Sequence, residues 1–230
     1  MTPCKGYIDS VYSGSAVDGD GLRCVVFLSG CNMRCGFCHN PETLYRKGNE
    51  TSPAELLERI LRYKAYIKKG GVTLSGGEPF LQKDFVVELC RLLRESGINI
   101  CIETNGHITD RDIMSAADSF IVDVKNQEGC DGEVYSEFLR TAAELGKPVK
   151  LTNVIVPDVN DSVERLGDVS FLAKLVPGEL FKGVKFLPFR KLCDNKYERR
   201  GLEFPYGKYR EATREDIDRV RETYENIKKY

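Results

Sequence analysis

The sequence has no tryptophan, three methionines and two histidines among its 230 residues. His39 and His107 lie far apart in the chain, so no pair is evident for histidine acid–base chemistry. A surplus of one charge is also lacking: 34 Lys and Arg meet 35 Asp and Glu, for a net charge of −1. Such a balance excludes a global electrostatic pull toward nucleic acid or an anionic membrane. No run approaches the roughly 18 apolar residues of a membrane span. Met1–Gly6 carries no apolar secretion-signal core. A cytoplasmic protein is therefore expected. The length suits one domain with a substantial core, so residues 1–230 are expected to fold as a single domain.

Cysteine is what the chain has. Nine is an odd count, and a reducing compartment disfavours a disulfide framework. Cys4, Cys24, Cys90, Cys101, Cys130 and Cys193 are scattered. Cys24, Cys90 and Cys101 stand in apolar runs and read as core, since a free cysteine behaves as a small hydrophobe. Cys31, Cys35 and Cys38 instead form one tight Cys-x3-Cys-x2-Cys motif within the loop 30–40. Three thiolates can hold three corners of a cubane iron–sulfur cluster and leave the fourth iron open to a small molecule; ferredoxin runs supply four. A Cys3His zinc site with His39 is the alternative, although structural zinc ligands usually come as two separated pairs.

Strand and helix signals alternate along the chain. Short apolar, β-rich runs are expected to be strands at 22–29, 72–75, 98–103, 120–124, 149–156 and 184–187. Ser52-Pro53-Ala54-Glu55 opens a helix with a capping box, and the stripe Leu56, Ile60, Tyr63 and Ile67 extends it toward Gly70. Further helices are expected over 84–95, 109–116, 132–145 and 161–175, and from Thr213 to the C-terminus. Six strand–helix units imply a parallel sheet, either doubly wound or a partial barrel. The segment Cys193–Arg210, rich in charge, Gly and Tyr, reads as a long irregular loop, and 189–230 as a partner-facing segment. Lys185, Arg190, Lys191, Lys196, Arg199 and Arg200 make a local basic patch there, which is otherwise a solvated face.

In parallel βα folds, ligands bind at the carboxyl ends of strands. The unusual residues fall there. The cysteine loop follows the first expected strand, Gly76-Gly77-Glu78-Pro79 the second and Glu103-Thr104-Asn105-Gly106 the third. Asp123-Val124-Lys125 ends the fourth and Pro188-Phe189-Arg190 the sixth. Glycines at 76 and 77 permit close backbone approach and are expected to leave amides free for a ligand, although a plain turn would read the same. Asp123 and Lys125 share one side of a strand, where an ion pair is the simpler reading. Glu103, Thr104 and Asp123 are oxygen donors suited to a hard cation.

Together these segments resemble the radical S-adenosylmethionine (SAM) enzymes that install a glycyl radical on a partner protein, most closely the pyruvate formate-lyase activators. The likeness runs through GYIDSVYSGSAVDGDGLR, the cysteine loop, GGVTLSGGEPFLQ, ETNG, DVK, and FLPF followed by KY. It implies an open, partial (β/α)6 barrel. It implies that Cys31, Cys35 and Cys38 hold a 4Fe–4S cluster. SAM would be contacted by Phe37, Cys38, His39, Gly76, Gly77, Glu78, Thr104, Asn105, Asp123, Val124, Lys125 and Arg190. Asp18 would lie near the partner's glycine, and a monovalent cation would sit at Glu103, Thr104 and Asp123. The resemblance further implies reduction of the cluster by flavodoxin or ferredoxin, reductive cleavage of SAM, and removal of a glycine α-hydrogen from the partner. No side chain acts as general acid or base in that scheme. The enzyme is expected to be a monomer that binds neither nucleic acid nor membrane.

Three positions depart from the family pattern: Asp20 stands where Pro is usual, Arg190 where His is usual and Thr152 where Arg is common. An activator of anaerobic ribonucleotide reductase or of another glycyl-radical enzyme is the nearest alternative. A structural zinc-binding interaction module is the alternative from a different class.

Overall fold

The computed structural model describes residues 4–125 and 132–229. Cys130 lies outside them. In chain order the elements are β1 Gly6–Ser15, β2 Arg23–Leu28, β3 Asn49–Thr51, α1 Pro53–Leu61, β4 Gly71–Gly76, α2 Lys83–Glu95, β5 Ile100–Thr104 and α3 Arg111–Ala116. There follow β6 Ser119–Asp123, α4 Gly132–Glu144, β7 Val149–Ile155, α5 Val163–Lys174, β8 Phe181–Pro188, α6 Asp194–Glu198 and α7 Arg214–Lys228. The strands form an open, mostly parallel sheet in the order β3-β1-β2-β4-β5-β6-β7-β8.

The six expected strands are β2 and β4 to β8. Two more, β1 and β3, run antiparallel at one edge. Their signal is weak for a physical reason. Only Gly6 and Ile8 of β1 are buried, and its register against β2 slips between Ile8 and Ser10 and again between Tyr12 and Ser15. Each irregularity breaks the period-2 alternation that marks a strand.

Helix ends follow their caps. Ser52 accepts from Glu55 N while Glu55 reaches back to Ser52 N, a complete capping box on α1. That helix stops at Leu61, short of the expected extension; Ile67 is still buried, but through a run of turns. Ser162 caps α5, and Thr213 with Asp216 forms a second capping box on α7.

The chain divides into two compact units, neither of them a continuous stretch. The first comprises Met1–Met33, Glu42–Thr104 and Ile108–Ile121. Here β2 and β4 pair in parallel from Arg23 opposite Gly71 to Leu28 opposite Gly76. Leu56 and Ile60 of α1 and Phe85, Leu89 and Leu93 of α2 are buried, and each stabilises by about 2 kcal/mol relative to an exposed side chain. Cys24, Cys90 and Cys101 are core, as expected. The buried Arg23 guanidinium bonds Thr73 Oγ1 at 2.7 Å, Gly70 O at 2.8 Å and Val72 O at 2.7 Å.

The second unit comprises Arg34–Pro41, Asn105–His107 and Val122–Tyr230. Its strands β7 and β8 pair in parallel, and the ring of Phe186 on β8 meets Tyr224 of α7 at 5.2 Å. The expected loop after Cys193 is partly core. It contains α6, and Cys193, Tyr197 and Phe204 are buried in a cluster with Phe37, Val156 and Phe189. The aromatic residues Tyr197 and Phe204 of that segment supply its packing. No helix among the described residues is long and apolar enough to cross a membrane.

Candidate functional site

In the first unit, the start of the cysteine loop is seated on the end of β4. Gly77 N donates to Leu28 O at 2.8 Å and Glu78 N to Gly30 O at 2.7 Å. The amides that the sequence left free for a ligand are thus consumed by the main chain just before Cys31. A Cβ on Gly77 would stand 2.0 Å from Gly30 O, and Gly76 has φ +109° with Leu28 against it. Only glycines allow that approach. The ammonium of a methionine moiety has donors to offer, so it seeks carbonyl and carboxylate oxygens here rather than amides.

Glu78 itself is fully buried; its Oε1 accepts from Thr104 Oγ1 at 2.8 Å and from Phe80 N at 3.1 Å. Glu103 Oε2 accepts from Ser75 Oγ at 2.6 Å. Gln82 was not singled out from the sequence, yet its side chain joins three carbonyl and amide groups. It donates to Ser29 O at 3.0 Å and Tyr7 O at 2.9 Å, and accepts from Tyr7 N at 2.7 Å. A buried glutamine directly after GGEPFL was the available signal.

Within the loop, Gly30 N donates to Thr43 O at 2.7 Å and Cys31 N to Leu44 O at 3.2 Å. Met33 N points at Cys31 Sγ, 3.4 Å away. Asp18 sits elsewhere. It belongs to the connection between β1 and β2, where its Oδ2 accepts from Ser15 Oγ at 2.5 Å and its carbonyl from Thr73 Oγ1 at 2.6 Å. Cys31 follows β2 and Asp18 precedes it, so a six-residue strand, about 20 Å, separates them along the chain.

In the second unit, Cys38 N closes a turn onto Cys35 O at 3.1 Å, and Phe37 between them is buried. The Phe37 ring meets Tyr206 edge-on at 5.8 Å, and the Lys125 ammonium lies 5.6 Å from its centroid. Lys125 pairs with Asp123. Burial alone would favour the neutral amine, but the Asp123 carboxylate, with Cys35 beside it, holds the Lys125 ammonium above the ordinary lysine range. Asp123 therefore has a cation of its own, and Oδ1, its other oxygen, is buried with no hydrogen-bond partner among the described residues.

Val124 N donates to Thr152 O at 2.8 Å, and Asn153 Nδ2 donates to Val124 O at 2.7 Å. Thr152 Oγ1 and Asn153 Oδ1 are also buried with no partner among the described residues. Asn105 turns its Oδ1 to His107 N at 3.0 Å. His107 is not the surface residue its loop suggested: its ring packs edge-on to Tyr135 at 4.8 Å. The His39 side chain is exposed. Arg190 is directed to the C-terminal segment, with Nη1 donating to Ala212 O at 2.7 Å and lying 3.5 Å from Glu211 Oε2.

Sequence comparison sets these residues in context. The family described as a 4Fe-4S single cluster domain matches residues 17–133. The pyruvate formate-lyase-activating enzyme of Clostridium pasteurianum is 35% identical over 212 residues, covering 86% of this chain and 88% of that one. The chain belongs to the family of pyruvate formate-lyase-activating enzymes. Among solved structures, a radical SAM methyltransferase from Sphaerobacter thermophilus aligns with TM-score 0.61 and 18% identity, covering 89% of this chain and 64% of that one. SuiB of Streptococcus suis, in complex with S-adenosylmethionine, aligns with TM-score 0.58 and 19% identity over 85% of this chain and 44% of its own. The fold is that of the radical SAM enzymes, and the chain is an activating enzyme of the 4Fe–4S single cluster family.

The residues present fit both the cluster and SAM. Cys31, Cys35 and Cys38 carry half-buried thiols. Among the described residues no three His, Cys, Asp or Glu side chains gather where a single metal ion could sit. Three thiols in one Cys-x3-Cys-x2-Cys loop are the donor set that iron–sulfur clusters take. Membership of the activating-enzyme family sets the zinc reading aside. Three buried oxygens that have no partner among the described residues, on Asp123, Thr152 and Asn153, suit a ligand that presents hydroxyl and ammonium donors, as SAM does.

Proposed function

We propose that this enzyme activates a pyruvate formate-lyase by installing a glycyl radical on it. The observation that carries the reading is the 35% identity to a pyruvate formate-lyase-activating enzyme over 86% of the chain. When bound, the cluster and SAM supply the chemistry: one-electron reductive cleavage of SAM and removal of an α-hydrogen from a glycine of the partner.

This chain's own residues do the rest. Cys31, Cys35 and Cys38 would hold three irons and leave the fourth for the amino and carboxylate groups of SAM. Gly76, Gly77 and Glu78 fix the strand end on which the loop rests. Thr104, with Glu103 and Asn105 beside it, closes the neighbouring strand end over Glu78. Asp123, held by Lys125, offers Oδ1 to a ribose hydroxyl, and Phe37 forms an apolar wall beside Cys38. Asp18 is the proposed contact to the partner. We take flavodoxin or ferredoxin as the reductant, the cytoplasm as the compartment and a monomer as the working state. No general acid or base is required, which agrees with two histidines engaged in packing or exposed to solvent.

The test is anaerobic reconstitution with iron and sulfide, followed by electron paramagnetic resonance after reduction. A cubane signal that shifts on adding SAM supports the cofactor assignment. Incubation with pyruvate formate-lyase should then give a glycyl-radical signal on that protein. A radical that forms on anaerobic ribonucleotide reductase and not on pyruvate formate-lyase would reassign the partner.

A further inference from the structure

We propose that Lys196 and Tyr197 clasp the main chain immediately after the last cluster cysteine, and that this clasp positions the cluster and sets its reduction potential. Tyr197 Oη donates to Cys38 O at 3.1 Å. Lys196 Nζ donates to His39 O at 3.0 Å and to Asn40 Oδ1 at 2.9 Å. Three consecutive residues of the cysteine loop are thus held by two consecutive residues of α6, all within the second unit.

The clasp has a firm base. The Tyr197 ring is buried and packs on Phe204 at 4.8 Å, beside the buried Cys193. Phe37 of the cysteine loop belongs to the same apolar cluster. The hydroxyl is therefore delivered to Cys38 from a ring that cannot swing away. The loop that precedes β3 has no regular structure beyond one short turn at Pro41–Thr43, so its path after Cys38 depends on such side-chain contacts.

Two physical effects follow. A hydrogen bond to the carbonyl of a ligating residue fixes the orientation of its thiolate, as partners behind metal ligands generally do. A positive charge one residue beyond the ligand stabilises the more negative, reduced cluster, since net charge and nearby hydrogen bonds are the protein's levers on cluster potential. Lys196 supplies the charge and Tyr197 the orientation, which makes them positioning residues rather than catalytic ones.

The inference rests on a cluster held by Cys31, Cys35 and Cys38. The experiment compares wild type with K196M, K196R and Y197F after anaerobic reconstitution. Reduction potential is read by a redox titration followed by electron paramagnetic resonance, and cluster loss by bleaching with an iron chelator. The K196M cluster should reduce only at more negative potential, and K196R should recover most of that shift. Y197F keeps the ring packing and should lose its cluster several-fold faster with an unchanged near-ultraviolet circular dichroism spectrum. Wild-type potential and wild-type bleaching rate in all three variants would overturn the clasp. A collapsed spectrum in Y197F would assign the hydroxyl to folding and overturn the share given to Tyr197. A wild-type protein that takes up no cluster would overturn the cluster itself, a failure distinct from that of the clasp.

Discussion

The Thr104 hydroxyl donates to Glu78 Oε1 at 2.8 Å, joining a side chain at the end of β5 to a fully buried carboxylate just beyond β4. Phe80 N donates to the same oxygen at 3.1 Å. Removing one donor from a buried carboxylate exposes much of its desolvation penalty. Thr104→Val, similar in shape, should therefore destabilise the protein by about 1–3 kcal/mol in urea unfolding. An unchanged midpoint would mean that water replaces the hydroxyl and that the bond contributes nothing net.

Gly77→Ala probes the seat of the cysteine loop. The new methyl would lie 2.0 Å from Gly30 O and 2.8 Å from Thr43 O, both main-chain atoms that cannot rotate away. Relief requires moving the strand end that leads into Cys31. The variant should fold with lowered stability and take up well under half the wild-type iron on reconstitution. Full iron loading with wild-type stability would show that the close approach is incidental.

Acid sensitivity should concentrate at the start of α7. Asp216 accepts from Arg210 at 2.6 and 3.0 Å, from Thr213 N at 2.9 Å and from Arg219 at 3.1 Å. The Arg210 guanidinium and the Thr213 cap hold its carboxyl well below the usual aspartate range. An unfolded aspartate titrates near about 3.9. As the pH drops, the unfolded chain therefore takes up this proton first, and stability present at neutral pH is lost from about pH 5 downward. Asp216→Asn should be less stable than wild type at pH 7, with the gap closing toward pH 2. A gap that stays constant across that range would remove Asp216 as the source.

The cysteine spacing, the helix caps at Ser52 and Thr213 and the strand-end placement of GGEP and DVK were all legible in the sequence, because each depends on neighbours a few residues away. What was illegible depends on distant partners. The amides of Gly77 and Glu78 are spent on Leu28 and Gly30, some fifty residues back along the chain, and no local pattern reports that. The same holds for Tyr197, whose hydroxyl reaches Cys38 O, and for β1, whose bulged register hides its alternation. Asp123 and Lys125 were read as sharing a side, and they do, because strand geometry is local.

The surroundings of Arg190, where the resemblance leads one to expect a histidine, give it a structural task. Its Nη1 donates to Ala212 O at 2.7 Å and lies 3.5 Å from Glu211 Oε2, so the side chain ties the end of β8 to the segment that leads into α7. The Arg190 side chain is 42% exposed, and an exposed pair of this kind contributes about 1 kcal/mol at most. Arg190→Ala should therefore cost little stability and leave the shift that SAM causes in the reduced cluster's electron paramagnetic resonance signal unchanged. Arg190→His, which installs the residue usual in the family, should release the Ala212 contact and free the position to face the ligand. A loss of SAM response in the alanine variant would show that Arg190 turns from Ala212 to SAM when the cofactor binds. An unchanged response would leave Arg190 with its structural task alone.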